Sequence, residues 1–261
     1  MSNSSYPLFV EERRRAILEQ LRQNGRVFVK DLSGQLRVSA VTIRQDLRSL
    51  EEDGLLERTY GGAVQRASSG MYPPELSFDV RQGKQVHAKE VIAAAAAAHV
   101  RDSDAIALDA STTSYAMVPY LKQVGRLTIV TNSLVIAQSF LDTPKIQVLM
   151  PGGRLRRDSV SLVGKPDFLP GINLNLGFFG TRGITIASGV TESDADEAAM
   201  KAAMVAHCMA AIIVADASKW GQVAPYTFAQ IDQVASIITT GDAPAELTTA
   251  LEAAGVRIET V

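Results

Sequence analysis

Two amphipathic patterns separated by a short turn lie within residues 29–52, and they constrain the fold of the first part of the chain more than any other feature. In the second pattern Ile43, Leu47 and Leu50 recur at helical spacing and therefore share one buried face. Ser39 precedes this pattern and is suited to cap the helix, because its hydroxyl can accept a hydrogen bond from an amide of the first turn. We predict two helices that cross steeply at the turn, as in a helix-turn-helix.

The opposite face of the second predicted helix carries small, amide and guanidinium side chains, the types that reach base edges and phosphates in a DNA major groove. After Gly54, two short extended runs flank Gly61-Gly62, a pair that suits a hairpin turn with positive φ, and such a hairpin would form a wing. The alternative is a small three-helix domain with charged surface faces. The predicted DNA interface comprises Ser39, Val41, Thr42, Arg44, Gln45, Arg48, Arg58 and Gly61.

A further helical pattern precedes these two. It predicts a helix over residues 10–24, ended by Gly25, with Ile17, Leu18 and Leu21 facing inward. We predict that its arginines, which are Arg13, Arg14, Arg15 and Arg22, face outward.

Length and composition indicate two globular domains. The 261 residues are 46% hydrophobic and 21% charged with a net charge of −2, and no run reaches the roughly eighteen apolar residues of a membrane span. The N-terminus lacks the pattern of a secretory signal and Cys208 is the only cysteine, so we expect a cytoplasmic protein without disulfides. The three histidines show no metal-ligand spacing, and we expect neither a metal nor a cofactor.

Beyond Arg101, apolar runs alternate with helical segments, a pattern that predicts an α/β fold with a mostly parallel sheet covered on both faces. Residues 67–82 include a Ser-, Gly- and Pro-rich stretch and are predicted to form a linker between a domain over 1–66 and one over 83–261. The predicted strands are 105–109, 127–131, 146–150, 176–180, 211–215 and 236–240.

Small polar residues follow four of these strands. Ligands bind an open α/β sheet at the carboxyl ends of its strands, where such residues expose backbone amides to an anion. Lys219 adds a positive charge, and Asp109 or Asp216 can accept hydrogen bonds from sugar hydroxyls. Each residue alone is also an ordinary helix cap, but together they predict a pocket for a small phosphorylated polyol. Its candidate residues are Asp109, Ser111, Thr112, Thr113, Asn132, Ser133, Gly152, Gly153, Asp216 and Lys219.

The segment VSAVTIRQDLRSLEEDGLLERTYGGAV resembles the winged-helix signature of the DeoR family of bacterial transcriptional regulators. The blocks DASTT, TNS, PGG, FFGTRGI and DASKWG are similar, in the same order, to the effector domain of that family, whose fold is related to ribose-5-phosphate isomerase. The resemblance implies phosphosugar sensing by the residues named above, except Asp109 and Asp216. It also implies roles for Lys201 and for the Gly189-Val190-Thr191 turn.

The chain departs from the family pattern at several positions. Gln45 stands where the family usually has Arg, a change that bears on operator preference, and Tyr60 where it commonly has His. Ala110-Ser111 replaces a frequent glycine and leaves less room for a close backbone approach. Arg182 stands where Asp or Asn is usual; it favours an effector with extra negative charge if it faces the pocket, and has no such effect if it faces solvent.

The function predicted from these features is that of a transcriptional regulator, not an enzyme. We expect a repressor of sugar-metabolism genes that binds double-stranded operator DNA as a homo-oligomer, a dimer or a tetramer, and is relieved by a phosphorylated sugar. The alternative is a sugar-phosphate isomerase-like enzyme with an accessory DNA-binding domain, which needs a poised carboxylate such as Asp109 or Asp216. A protein-interaction module without a ligand is a third possibility.

Overall fold

The computed structural model describes residues 10–52, 55–64, 77–164 and 172–261. The chain divides into two compact units, Met1–Val80 and Arg81–Val261. The predicted linker lies outside the described residues from 67 to 76, and its last five residues form a short helix.

The first unit is a helix-turn-helix followed by a small sheet. Gly25, with φ of +70°, ends its first helix as predicted. Ser39 caps the third helix by accepting the Thr42 amide N–H at 3.1 Å. The elements are α1 (Val10–Asn24), β1 (Arg26–Phe28), α2 (Val29–Leu36), α3 (Ala40–Glu52), β2 (Glu57–Thr59) and β3 (Gly62–Val64), and α4 (Phe78–Gln82) crosses the boundary between the units.

The wing differs from the prediction in two respects. It has a third strand, because β1 pairs antiparallel with β3 and gives the order β1-β3-β2. Its turn consists of Tyr60 and Gly61, of which Gly61 has the positive φ of +86°. Gly62 lies in the central strand instead, where a Cβ would stand 2.0 Å from the carbonyl oxygen of Val27. A glycine is therefore needed at position 62 for close strand packing, not for the turn.

We expect Gly62→Ala to lower the free energy of unfolding by about 2 kcal/mol, because the added methyl group must push β1 away from β3. Gly34→Ala is the matched control. Gly34 lies within α2, and a Cβ added there would meet nothing within 4 Å beyond its chain neighbours and the backbone of its own helix, so alanine should stabilise the helix by about 0.5–1 kcal/mol. Chemical denaturation of the two variants measures both effects, and equal effects of the same sign would contradict the close packing at position 62.

The second unit is α/β, as predicted. All six predicted strands are present. The elements are α5 (Val86–Ala98), β4 (Ala105–Leu108), α6 (Thr112–Ala116), α7 (Val118–Leu121), β5 (Leu127–Thr131), α8 (Leu134–Ser139), β6 (Ile146–Leu149), β7 (Arg154–Arg156), β8 (Ser161–Val163), β9 (Leu174–Phe179), β10 (Gly183–Thr185), β11 (Gly189–Glu192), α9 (Ala195–Ala206), β12 (Cys208–Val214), β13 (Tyr226–Ala229), β14 (Ser236–Thr239), α10 (Ala245–Ala253) and β15 (Arg257–Thr260).

A seven-stranded parallel sheet in the order β15-β14-β12-β9-β4-β5-β6 forms the centre of this unit. Because side chains alternate along each strand, the sheet has two buried faces. Ile106 and Phe178 pack with Ile92 of α5 on one face, and Ala107 and Phe179 pack with residues of α9 on the other. The carboxyl ends of β12, β9, β4, β5 and β6 consequently lie side by side along one edge, called here the carboxyl edge.

Two smaller antiparallel sheets, β10-β11-β13 and β7-β8, accompany the central sheet.

None of the helices in the described part of the chain has the length and apolar character that crossing a membrane requires.

Candidate DNA interface and effector site

The exposed face of α3 brings the predicted DNA-reading side chains together. Val41 is 72% exposed, and Arg44, Gln45 and Arg48 are exposed beside it. Ser39 lies at the start of this face, where its hydroxyl is engaged in the cap and in a 2.9 Å hydrogen bond with the Thr42 hydroxyl. The face has the side-chain types and the helical presentation that major-groove readout requires.

A buried ion pair fixes α3 against α1. Asp46, next to Gln45, is 2% exposed, and the Arg13 guanidinium donates to both of its carboxylate oxygens, with Nη2 to Oδ1 at 3.1 Å. Arg14 Nε lies 3.5 Å from the same carboxylate. The hydrogen bond from Arg13 to Asp46 raises the pKa of Arg13 above its ordinary value.

The prediction that Arg13 faces outward is therefore wrong. Asp46 lies on the inward side of α3 beside Ile43 and Leu47, and a buried carboxylate is stable only with a paired cation. Arg13 supplies that cation and is 7% exposed.

The two predicted DNA-binding residues of the wing, Arg58 and Gly61, differ in their exposure. Gly61 is exposed in the turn, whereas Arg58 is half-buried and paired with Glu51 near the end of α3, Nη1 to Oε2 at 3.6 Å. Tyr60 at the tip is fully exposed. An unpacked aromatic ring at the end of a wing is a DNA-contact candidate that the sequence reasoning did not select, because the predicted Gly61-Gly62 turn placed Tyr60 in the preceding strand.

At the carboxyl edge of the sheet, several predicted effector residues serve as helix caps. Ser111 accepts the Ser114 N–H at 3.1 Å, and Ser133 accepts the Ile136 N–H at 3.2 Å. Asp216 accepts the Ser218 N–H at 3.0 Å. Thr112 and Thr113, in the first turn of α6, are buried. The capping role of Ser111, Ser133 and Asp216 is compatible with their position at the carboxyl edge, because a cap orders the loop that carries it.

Asp109 is at the centre of this edge, but its carboxylate is fully engaged. One oxygen accepts from the Ser114 hydroxyl at 2.6 Å and the Ser111 N–H at 3.2 Å. The other accepts from the Gly180 N–H at 2.9 Å and lies 2.9 Å from the Lys201 ammonium. The residue is 0% exposed. Asp109 therefore organises the loop. The sequence suggested that it accepts hydrogen bonds from sugar hydroxyls, but its carboxylate oxygens are occupied by protein donors.

Lys201, which the resemblance implied, is the cation of a buried charge network. Its ammonium group donates to Glu192 at 2.6 Å and to the Gly180 carbonyl at 2.9 Å, besides contacting Asp109. Burial alone would lower the pKa of Lys201, but the charges of Asp109, Glu192 and Glu197 outweigh burial and raise it. Lys201 thus neutralises the carboxylates of Asp109 and Glu192.

Arg182 completes this network at its outer side. Its Nε lies 3.1 Å from Glu192 Oε1, and the residue is half-buried, so it pairs with Glu192 and does not extend freely into solvent. Burial alone would raise the pKa of Glu192, yet the cations of Lys201 and Arg182 lower it to about 2. Glu192 therefore stays ionised.

Asn132 has a buried polar atom that none of the described residues satisfies. Its Nδ2 donates to the Leu162 carbonyl at 3.2 Å, while its buried Oδ1 accepts no hydrogen bond from any residue in the described ranges. The whole residue is 1% exposed. A buried amide oxygen without a donor is a costly feature, and a ligand hydroxyl or a water would satisfy it.

The two predicted glycines behave differently. Gly152 is exposed with nothing near its Cβ position, whereas at Gly153, with φ of +144°, a Cβ would stand 2.4 Å from the Val163 carbonyl oxygen. Gly153 therefore permits the close packing of the segment after β6 against β8. Lys219 is half-buried in the turn after β12.

The side chains of the described ranges form no cluster suited to a metal ion. In those ranges, no three His, Cys, Asp or Glu side chains are grouped so as to hold one.

Comparison with known proteins gives matches over nearly the whole chain. The family described as "DeoR-like helix-turn-helix domain" matches residues 13–69, and the "DeoR C terminal sensor domain" matches residues 84–241. The HTH-type transcriptional regulator GlpR of Haloferax volcanii is 34% identical over 95% of this chain and 96% of its own length. The glycerol-3-phosphate regulon repressor of Escherichia coli is 31% identical over 89% of this chain and 91% of its own.

Solved structures show a weaker similarity. Ribose 5-phosphate isomerase A of Methanocaldococcus jannaschii aligns with a TM-score of 0.38 and 12% identity over 51% of this chain and 53% of the isomerase, and nothing about function follows from it. The two family matches and the full-length relatives, together with the exposed face of α3 and the parallel sheet, show that this chain belongs to the DeoR family of DNA-binding transcriptional regulators.

Proposed function

We propose that this protein is a cytoplasmic repressor of a sugar- or polyol-phosphate regulon that binds its operator as a homo-oligomer. Residues 1–66 bind DNA, and residues 83–261 bind a phosphorylated effector. Binding of the effector releases the protein from its operator. The glycerol-3-phosphate regulon repressor of E. coli and the putative aga operon repressor of E. coli O157:H7 are both relatives at 31% identity. The observation that carries the proposal is the exposed polar face of α3, held by the Ser39 cap and the Arg13–Asp46 pair.

The DNA half of the proposal predicts selective losses of affinity. Arg44→Ala and Gln45→Ala should each weaken binding to the operator by about 1–3 kcal/mol, and binding to random duplex much less, because base contacts carry the sequence preference. Arg15→Ala, on the exposed side of α1, is the control and should affect both duplexes alike or neither. The measurement is a titration of the full-length protein on an operator selected from random duplexes. Equal losses on both duplexes would mean that Arg44 and Gln45 only contact phosphates.

The sensing half is supported by the carboxyl edge of the sheet. The loops after β4, β5 and β12 are ordered there by their own caps, and Asn132 Oδ1 is a buried acceptor for which the described residues supply no donor. A polyol hydroxyl supplies such a donor. The proposal is tested by adding sugar phosphates to the protein–operator complex: release by one of them, and not by its unphosphorylated sugar, is expected.

We propose a sensor and not an enzyme because the carboxylates at this edge are already engaged. A general base needs access to the substrate and a pKa near the working pH. Asp109 is fully buried with both oxygens occupied, and the pKa of Glu192 is held at about 2. Asp216 accepts from Ser218. A turnover assay on pentose and hexosamine phosphates tests this: isomerisation by the wild type that is lost in Asp109→Asn would overturn the sensor proposal.

A further inference from the structure

Val41 is an apolar side chain in the middle of the polar face of α3. It is 72% exposed and lies in the first turn of the helix. Because an α-helix has about 3.6 residues per turn, Val41 lies on the opposite side of α3 from the buried Ile43 and Leu47, and between Arg44 and Gln45 around the helix. It therefore points away from the core of its own unit, with a readout side chain on each side.

The fold does not account for a valine at this position. Valine is a poorer helix former than alanine because its branched side chain restricts χ1, and the exposed side chain packs little surface in return. Single exposed apolar residues are common on protein surfaces. Val41, however, stands where the base edges face the helix when its amino-terminal part enters a major groove.

The chemistry of the groove restricts what Val41 can contact favourably. The only methyl group that the base pairs display in the major groove is the 5-methyl group of thymine, and most of the remaining edge atoms are hydrogen-bond donors and acceptors. A valine placed against those atoms displaces their water and offers no hydrogen bond in return. Against the thymine methyl group it buries apolar surface on both partners. The side chain is therefore selective for thymine.

Gln45, one turn further along α3, is the hydrogen-bonding neighbour of Val41. It is exposed, and no hydrogen bond from the described residues engages its side-chain amide, whereas the hydroxyl of Thr42 is already bonded to Ser39. A glutamine pairs with adenine through two hydrogen bonds, donating from Nε2 to N7 and accepting at Oε1 from the N6 amino group. Cβ atoms four residues apart on a helix are about 5–6 Å apart, and successive base pairs about 3.4 Å. The two contacted bases are thus within about two base pairs of each other.

We propose that Val41 and Gln45 together set the sequence preference of the operator half-site. Val41 packs against the 5-methyl group of a thymine, and Gln45 binds an adenine within about two base pairs of it. The buried pair of Arg13 and Asp46 holds α3 in the rotation that presents both side chains. The inference rests on the proposed binding of an operator through α3, and it adds which bases are read.

Replacing thymine with uracil tests the Val41 contact, because uracil lacks only the 5-methyl group. The probe is the duplex that the full-length wild-type protein selects from a random library, with each thymine of one half-site replaced in turn. One replacement should weaken wild-type binding about three- to fivefold, the value of one buried methyl group. Val41→Ala should bind the thymine duplex about as weakly and lose nothing further with uracil at that position. Alanine is the better helix former, so α3 itself is preserved.

Val223→Ala is the matched control, because Val223 is 46% exposed but belongs to the second unit. It should respond to uracil as the wild type does. A uracil effect of equal size in Val41→Ala and wild type, or no uracil effect at any position, overturns the Val41 contact and leaves operator binding intact. Failure of the wild type to select any sequence overturns operator recognition as a whole.

The Gln45 contact is tested by repeating the selection with Gln45→Arg. Arginine pairs bidentately with guanine, so the selected base at one position should change from adenine to guanine, within about two base pairs of the uracil-sensitive thymine. An unchanged sequence, or a change elsewhere in the half-site, overturns the assignment of Gln45. If Gln45→Arg selects no sequence, Gln45→Ala must lose the preference at that adenine alone, and a retained preference overturns the assignment.

Discussion

Replacing Asp46 with asparagine is expected to lower the free energy of unfolding of the first unit by about 3 kcal/mol, because the substitution leaves the Arg13 guanidinium buried without its anion. The two side chains are 8% and 3% exposed and joined by two hydrogen bonds, so solvent screens them little. Operator affinity should fall too, since α3 loses the contact that fixes its orientation beside Gln45.

The single tryptophan makes this measurable in the intact chain. Trp220 is the only tryptophan and lies buried in the second unit, so its fluorescence reports that unit, whereas far-UV circular dichroism reports helices of both. In urea, Asp46→Asn should move part of the dichroism change to a lower urea concentration. The urea midpoint of the fluorescence change should remain that of the wild type. Asp31→Asn, at an exposed carboxylate in the first turn of α2, is the control and should cost about 0.5 kcal/mol or less. Identical denaturation curves for both variants would contradict a structural role for the pair.

The helices of the DNA-binding unit follow from local signals. Gly25 ends α1 and Ser39 begins α3, and each effect depends on residues within one helical turn. The burial of Arg13 does not follow in the same way, because its partner Asp46 is 33 residues away and only the packing of α1 on α3 joins them. For the same reason local patterns do not reveal β1: three residues between two helices become a strand only when β3 is beside them.

In the sensor unit, the continuous apolar runs identify six of the seven parallel strands, because strands covered on both faces need apolar side chains at every position. The edge strand β15 and the short strands β7, β8, β10, β11 and β13 carry no such run, and the sequence does not predict them. The candidate effector residues lie at the carboxyl edge, but their contacts differ from those expected. Asp109 has the chemistry of a ligand-binding residue, and only the fold reveals that Lys201, 92 positions later, already contacts it.

Lys201→Met is expected to destabilise the sensor unit by about 4 kcal/mol, because methionine fills the volume of the side chain but leaves two buried carboxylates without their shared cation. Asp109 and Glu192 are 0% and 4% exposed, and Lys201 contacts both of them, whereas Arg182 pairs with Glu192 at the outer side. The measurement is urea denaturation followed by Trp220 fluorescence. Lys145→Met, at an exposed lysine, is the control and should lie within about 0.5 kcal/mol of wild type.

The loss should also depend on pH in a defined direction. In the wild type the pKa of Glu192 is about 2, below its ordinary 4.5, so its contribution to stability is present above pH 4.5 and is lost as the pH falls through 2. Without Lys201, burial is opposed only by the charge of Arg182 and the hydrogen bond from the Ser193 N–H, and the pKa of Glu192 rises. Protonation of Glu192 then stabilises the variant at pH values where the wild type is unaffected. The difference in unfolding free energy between wild type and variant should therefore become smaller as the pH falls from 7 to 4.5. Adding Glu192→Gln to Lys201→Met should reduce both the deficit and its pH dependence. A deficit that is constant with pH would show that the lost stability comes from packing and not from stranded charge.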